Sequence, residues 1–167
     1  MWIYFTVFIV VALSLFLSNK IKDKKNIKHW KVLSIICEIL AILTLALFFG
    51  LRDHSVGTDT LNYYKMYNKL NYEFSIDKMF EYDYLYSVLN ILCNVICKDF
   101  TFCLIVIGVI IYSNLVFSIN RLSSNPILSI SLLIGLGFYA QSFNAIRQYL
   151  ALSFVVLGLY FYLKSNP

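Results

Sequence analysis

The sequence predicts an all-α fold, a polytopic transmembrane helical bundle, and two observations lead to that prediction. Of the 167 residues, 60% are hydrophobic and only 14% are charged, whereas charged residues make up about a quarter of an ordinary soluble domain. The apolar residues are also gathered into long runs that short polar segments separate. We therefore interpret residues 1–167 as a single transmembrane domain.

Five apolar runs predict membrane spans at about residues 1–18, 32–51, 100–119, 127–143 and 148–163. A helix rises about 1.5 Å per residue, so about 20 residues cross a hydrocarbon core of roughly 30 Å. The first run has no small-residue cleavage pattern after it, so we expect it to stay as a span. The shorter run Tyr84–Cys97 is open to two interpretations. It is either an interfacial or re-entrant helix in a five-span chain or a sixth span.

The basic residues predict the orientation of the chain. Six of the fourteen Lys and Arg residues lie between Lys20 and Lys31, and the positive-inside rule places that loop in the cytoplasm. The loop 52–83 then lies outside. The five-span arrangement is favoured because it returns Arg121 and Lys164 to the inside, and it leaves Arg147 outside. No second basic stripe interleaved with aromatic residues is present, so we predict no nucleic-acid partner.

The cysteines and the end of the chain give two further expectations. All four cysteines lie in apolar runs, where thiols behave as small hydrophobic groups. Cys93 and Cys97 are four residues apart, yet no His or carboxylate joins them at ligand spacing, so we predict no metal site and no cofactor. The chain stops at Ser165-Asn166-Pro167, directly after a span, which suggests an N-terminal fragment of a longer protein.

Two polar clusters stand out from this apolar background. The first is Arg52-x4-Gly57-Thr58-Asp59-x2-Asn62-Tyr63, and the second is Ser142-Phe143-Asn144-Ala145-Ile146-Arg147-Gln148. An Arg near the membrane interior usually faces a partner, a cavity or a substrate. Its planar fork of five donors matches phosphate oxygens, so two outward-facing arginines suit the diphosphate of a lipid-linked substrate. Simpler interpretations also hold: Arg147 extends to the headgroups, and Thr58 or Asp59 caps a helix through about Leu70.

These two motifs resemble the EpsG family of bacterial membrane proteins, which belongs with the Wzy-like polymerases of exopolysaccharide and O-antigen. That family has three elements in this order: an Arg before Gly-Thr-Asp, an acidic or aromatic segment like Glu81-Tyr82-Asp83-Tyr84-Leu85, and Phe-Asn-x-Ile-Arg-Gln. Thr60 stands where an aromatic residue is expected. The resemblance covers nearly the whole chain and the N-terminal half of a typical family member.

The resemblance implies a multi-pass protein of the bacterial cell membrane that acts in exopolysaccharide, capsule, biofilm or O-antigen biosynthesis. It would join repeat units carried on undecaprenyl diphosphate by glycosyl transfer on the outer face of the membrane. Arg147 and Asp59 would then be catalytic. The residues implied to bind substrate are Arg52, Asn62, Tyr63, Asn144 and Gln148. The implied partners are the lipid-linked oligosaccharide, the bilayer and other polysaccharide assembly proteins.

Two rival functions fit the same sequence features. A transporter or flippase for a lipid-linked sugar would bind the same diphosphate without chemistry, and we would expect it to show a second, repeat-related half. No such repeat is visible in the sequence. A non-catalytic membrane component of an assembly system would instead use the polar loop as a docking surface.

Overall fold

The computed structural model describes residues 2–22, 28–53, 55–72 and 83–165. Within these residues the chain is helical and has no strand, so the all-α prediction is confirmed. The helices are α1 (Trp2–Lys22), α2 (Lys28–Gly50), α3 (Thr60–Tyr72), α4 (Tyr84–Ile96), α5 (Phe100–Leu122), α6 (Pro126–Gly135), α7 (Phe138–Gln141) and α8 (Ile146–Ser165).

Within the described residues, three helices are long and apolar enough to cross a membrane, and they are His29–Gly50, Phe100–Leu122 and Ile146–Ser165. Shorter apolar helices cover Phe5–Ile21, Tyr84–Ile96 and Pro126–Gly135. The molecule is therefore a helical membrane protein, as predicted, whereas the number and limits of its spans stay predictions.

The predicted run 127–143 is divided between two helices. Asn125 and Pro126 begin α6: the Asn125 side chain accepts a hydrogen bond from the Leu128 amide at 3.2 Å, and Pro126 occupies the first turn. Gly137 ends it, because its φ of 82° lies in the left-handed region that glycine adopts without strain. The backbone then resumes as α7, in which Tyr139 is buried.

Helices α2 and α5 form the centre of the bundle. Leu45 on α2 and Ile107 on α5 are completely buried. A Cβ atom added at Gly108 would lie 2.9 Å from the Phe49 ring and 3.3 Å from the Ala46 Cα. Glycine at this position lets the two backbones approach closely, as small residues do between membrane helices.

The contacts along α5 set the direction of its neighbours. The last residue of α2, Gly50, lies against Ile105 near the start of α5, so these two helices are antiparallel. Helix α8 runs in the same direction as α5, because Asn114 bonds Ser153 at 3.2 Å and the rings of Phe117 and Tyr160, further along both helices, lie 5.3 Å apart. The end of α2 and the starts of α5 and α8 therefore meet at one end of the bundle, here called the polar end.

Helices α3 and α4 lie together at the polar end. The Tyr63 and Tyr86 rings are 6.0 Å apart, and the Tyr67 hydroxyl donates a hydrogen bond to Asn94 at 3.0 Å. The Tyr67 ring also packs on Phe100, the first residue of α5, at 5.4 Å. Both ends of α4 thus contact α3, and the placement of α4 relative to the membrane stays a prediction.

Candidate functional site

The two polar motifs of the sequence meet at the polar end. The Thr58 backbone amide donates a hydrogen bond to the Asn144 side-chain oxygen at 2.8 Å, across 86 positions of sequence. Gly57 makes this contact possible, since its φ is 97° and a Cβ there would lie 2.7 Å from the same Asn144 oxygen. Asn144 therefore fixes the turn that leads into α3.

Arg52 makes a second connection between the two polar motifs. Its side chain is buried, with 9% of its surface exposed, and it donates to the carbonyl oxygens of Phe49 at 2.8 Å and Phe143 at 3.2 Å. The guanidinium carbon also lies 4.4 Å from the centre of the Phe49 ring and 4.7 Å from that of Phe143. These contacts fasten the end of α2 to the connection between α7 and α8.

An aromatic cluster supports the guanidinium of Arg52. The Phe49 ring packs edge-on against Phe143 at 5.7 Å and against Tyr112 at 5.8 Å, and Tyr139 packs on Phe143 at 5.2 Å. The Tyr139 hydroxyl donates to the Leu45 carbonyl at 3.0 Å. Because these rings come from α2, α5 and α7 and the residues after α7, they hold the helices that carry both polar motifs.

Asp59 stands directly before α3. Its backbone carbonyl accepts a hydrogen bond from the Tyr63 amide at 3.0 Å, so the helix begins where the sequence predicted. Its carboxylate lies 3.5 Å from the Asn62 side-chain amide and is exposed. The helix continues to Tyr72, two residues beyond the predicted end at Leu70.

Arg147 lies in the first turn of α8 and forms an ion pair with Asp83, which directly precedes α4. Tyr63 lines the same cleft as Arg147. The Arg147 side chain is 41% exposed and that of Asp83 is 66% exposed. Asp83 has a φ of 70°, which is uncommon for a residue with a side chain and occurs often at functional sites.

A cleft of about 640 Å³ opens beside Arg147 at the polar end. Its lining residues are Asp59, Asn62, Tyr63, Lys65, Met66, Asn68, Lys69 and Arg147. Three of these carry a positive charge and one carries a negative charge, so the cleft favours an anionic ligand. The uncharged part of the wall consists of two amides, one tyrosine and Met66.

The structure brings four of the predicted site residues together in this cleft: Asp59, Asn62, Tyr63 and Arg147. The other three lie elsewhere in the described part of the chain. Arg52 is turned into the core and Asn144 toward the turn at Gly57, whereas Gln148 is exposed on the first turn of α8. Their predicted contacts with substrate remain predictions.

Sequence reasoning assigned no role to Lys65, Lys69 or Asp83. The two lysines could have been found from periodicity, because positions 62, 65 and 69 recur on one face of a helix that the sequence did predict. Asp83 belongs to the acidic segment of the family resemblance, of which Glu81 and Tyr82 lie outside the described residues. Its pairing with Arg147 crosses 64 positions and had no local signal.

Among the residues that the structure describes, no three His, Cys, Asp or Glu side chains lie close enough to hold a metal ion. The expectation of no metal and no cofactor stays a prediction.

The fold and the site define a class: a polytopic helical membrane protein with a cationic cleft at one end of its bundle. The sequence profile of the EpsG family matches residues 35–167, which is most of the chain. This protein belongs to the EpsG family, whose members are associated with polymerase-like functions in exopolysaccharide production. Neither the curated proteins nor the solved structures gave a match to this chain.

Proposed function

We propose that this protein polymerises oligosaccharide repeat units carried on undecaprenyl diphosphate, by glycosyl transfer at the outer face of the bacterial cell membrane. In this proposal the loop between Lys20 and Lys31 is cytoplasmic, and the polar end of the bundle is outside. The observation that carries the proposal is the cationic cleft beside Arg147, in a chain that belongs to the EpsG family.

The position of the cleft suits a lipid-linked donor. Its wall is formed by α3 and the first turn of α8, and α8 continues from Arg147 as an apolar helix long enough to cross a membrane. A diphosphate held in the cleft would leave its polyprenyl chain free to lie along the apolar helices. The sugar would then be in water, where an acceptor can reach it.

The proposed reaction needs one new bond and one broken bond. A hydroxyl oxygen of the acceptor attacks the anomeric carbon of the donor sugar, while the bond from that carbon to the phosphate oxygen breaks. Undecaprenyl diphosphate leaves with the bonding electron pair, and the acceptor hydroxyl loses its proton. Negative charge therefore grows on the diphosphate, where preorganised cations stabilise the transition state most.

The cleft residues have distinct roles in this proposal. Arg147 stabilises the leaving diphosphate, and Tyr63 offers an aromatic face and a hydroxyl group to a sugar in the same cleft. The exposed Asp59 carboxylate takes the proton of the acceptor hydroxyl, directly or through water. Asn62 contacts sugar hydroxyl groups, for which an amide offers both donors and an acceptor. Arg52 and Asn144 act through the backbone that they fasten.

Substitution of Arg147 in the full-length protein tests the proposal. We expect Arg147→Ala to lower polymer formation by about 10²-fold, as loss of one transition-state donor does in other enzymes, and to raise the amount of lipid-linked repeat unit. Arg147→Lys should recover only part of the activity, because lysine keeps the charge and loses the planar fork. Polymer length on gels and the lipid-linked pool are the two measurements.

Arg121→Ala is the matched control, since Arg121 is exposed in the last turn of α5 and contacts Phe117 on its own helix. It should leave polymer length unchanged. Long polymer in Arg147→Ala at normal protein levels would contradict the proposed role of Arg147. A polymer defect equal in both variants would point to a general loss of arginine charge rather than to the cleft.

A further inference from the structure

The positive charge of Arg147 is already compensated in this structure. Asp83 forms an ion pair with its guanidinium. An incoming anion at Arg147 must compete with a carboxylate that the chain itself supplies. The pair as a whole contributes little net charge to the cleft.

Two other cations in the cleft have a different environment. Lys65 and Lys69 are both exposed and line the same wall, and neither has a hydrogen bond or an ion pair within the described part of the chain. They are four residues apart on α3, and like charges at that spacing repel one another. An anion bound between them would remove that repulsion.

The packing of α3 fixes where these lysines lie. Met66, Tyr67 and Leu70 on the neighbouring face are buried, with 7%, 4% and 1% of their surfaces exposed. The rings of Tyr64 and Tyr67 both pack on Phe100, at 5.5 and 5.4 Å. Because α3 cannot rotate without losing these contacts, Lys65 and Lys69 stay directed along the cleft.

The cleft wall offers more than charge beside the lysines. Asn62 and Asn68 line the same wall, and each lies within one helical turn of Lys65 or Lys69 on α3. Side-chain amides donate hydrogen bonds to oxyanions and also accept them from sugar hydroxyl groups. A ligand that combines negative charge with hydroxyl groups therefore fits this wall.

We propose that Lys65 and Lys69 form the principal anion-binding subsite of the cleft, and that it binds an oxyanion group of the substrate. The identity of that substrate rests on the proposed function. The oxyanion has two possible sources, namely the diphosphate of the lipid carrier or the carboxylate of an acidic sugar in the repeat unit. Arg147, with Asp83 as its partner, engages the anion after the lysines have bound it.

Binding to the full-length protein in nanodiscs of phosphatidylcholine tests this subsite, since that lipid carries no net charge to compete. One probe is a short-chain prenyl diphosphate, with the corresponding prenol as its neutral counterpart. The other is a soluble trisaccharide with one uronic acid, and its uncharged analogue is the counterpart. The proteins compared are the unmodified chain, Lys65→Ala/Lys69→Ala, Lys65→Arg/Lys69→Arg and the control Lys98→Ala.

We expect Lys65→Ala/Lys69→Ala to bind one anionic probe about tenfold more weakly, because charge-assisted contacts from both side chains are lost. The probe that loses affinity identifies the source of the oxyanion. The arginine pair should stay within about twofold of the unmodified protein, because it keeps both charges. Lys98 lies in the connection between α4 and α5 outside the cleft, so its replacement should change neither affinity.

Alanine favours helix at these exposed positions, so the double variant should keep its thermal unfolding temperature. The proposal is overturned if both anionic probes bind the double alanine variant as tightly as the unmodified protein. It is also overturned if the unmodified protein binds neither anion more tightly than its neutral counterpart. Anion binding lost in the lysine variant, together with normal polymer in Arg147→Ala, would refute the polymerase role of Arg147 and keep the lysine subsite.

Discussion

Replacing Arg52 by methionine separates a structural arginine from a substrate ligand. Methionine keeps much of the side-chain volume and removes the charge and every donor. In the structure, Arg52 donates to the carbonyl oxygens of Phe49 and Phe143 at 2.8 and 3.2 Å, and its guanidinium lies against both rings. If these contacts join α2 to the segment before α8, their loss destabilises the protein when no substrate is present.

The contacts allow a rough magnitude for this loss. Each hydrogen bond from a charged group contributes about 1.5 to 3 kcal/mol, and each ring contact contributes about 0.5 to 1 kcal/mol. Relief of the cost of burying a charge offsets part of that sum. We therefore expect Arg52→Met to lose about 3 kcal/mol, which corresponds to roughly 6 to 12 °C in the unfolding temperature of a chain of this size.

Thermal unfolding of the purified protein in detergent, without substrate, is the assay. The unfolding temperature of Arg52→Lys should fall between those of Arg52→Met and the unmodified protein. The ammonium group keeps a single carbonyl contact and loses the planar stacking. Arg121→Met is the matched control: Arg121 also donates to a carbonyl, that of Phe117, and lies over its ring at 3.6 Å, yet it is exposed. Exposed contacts of this kind contribute little, so its shift should be about 2 °C or less.

An unfolding temperature within about 2 °C of the unmodified protein for Arg52→Met would refute this reasoning. If that variant also failed to bind a prenyl diphosphate, Arg52 would be a ligand of the substrate, as the sequence alone suggested. A large loss of stability, with binding retained at low temperature, would establish the structural role.

Two further predictions concern the residues around the cleft. Gly57→Ala should lower the unfolding temperature, because the left-handed backbone costs about 1 to 2 kcal/mol and the new Cβ would lie 2.7 Å from Asn144. Its control, Gly158→Ala, has no neighbour within 4 Å and should be neutral or stabilising, so equal effects of the two changes would contradict this account. Asp83→Asn should lower KM for the lipid-linked substrate by up to about fivefold, because an exposed ion pair worth at most about 1 kcal/mol no longer competes at Arg147. A higher KM in that variant would instead mean that Asp83 orients the guanidinium.

The sequence predicted the helices better than it predicted their ends. Hydrophobic runs gave α2, α5 and α8, and Asp59 stands before α3 as expected. The division of the run 127–143 was not predicted, although Gly137 is the local signal for it. Glycine is also common inside membrane helices, so the presence of Gly137 alone does not predict a break there.

The sequence predicted only part of the candidate site. Asp59, Asn62, Tyr63 and Arg147 do line one cleft, although Asp59 and Arg147 are 88 positions apart in the sequence. Arg52 looked equivalent to Arg147 in sequence, since both are arginines next to apolar runs. The carbonyl groups and rings that surround Arg52 distinguish it from the exposed Arg147.

By itself, the sequence determined that this is a helical membrane protein of the EpsG family, because hydropathy and the spacing of a motif are properties of neighbouring residues. The tertiary structure alone decided which cations face the cleft and which are paired. Lys65 and Lys69 line it without a partner in the described residues, Arg147 is held by Asp83, and Arg52 is turned into the core. Those differences arise from contacts between distant segments, and the energy of a charge depends on the groups packed around it.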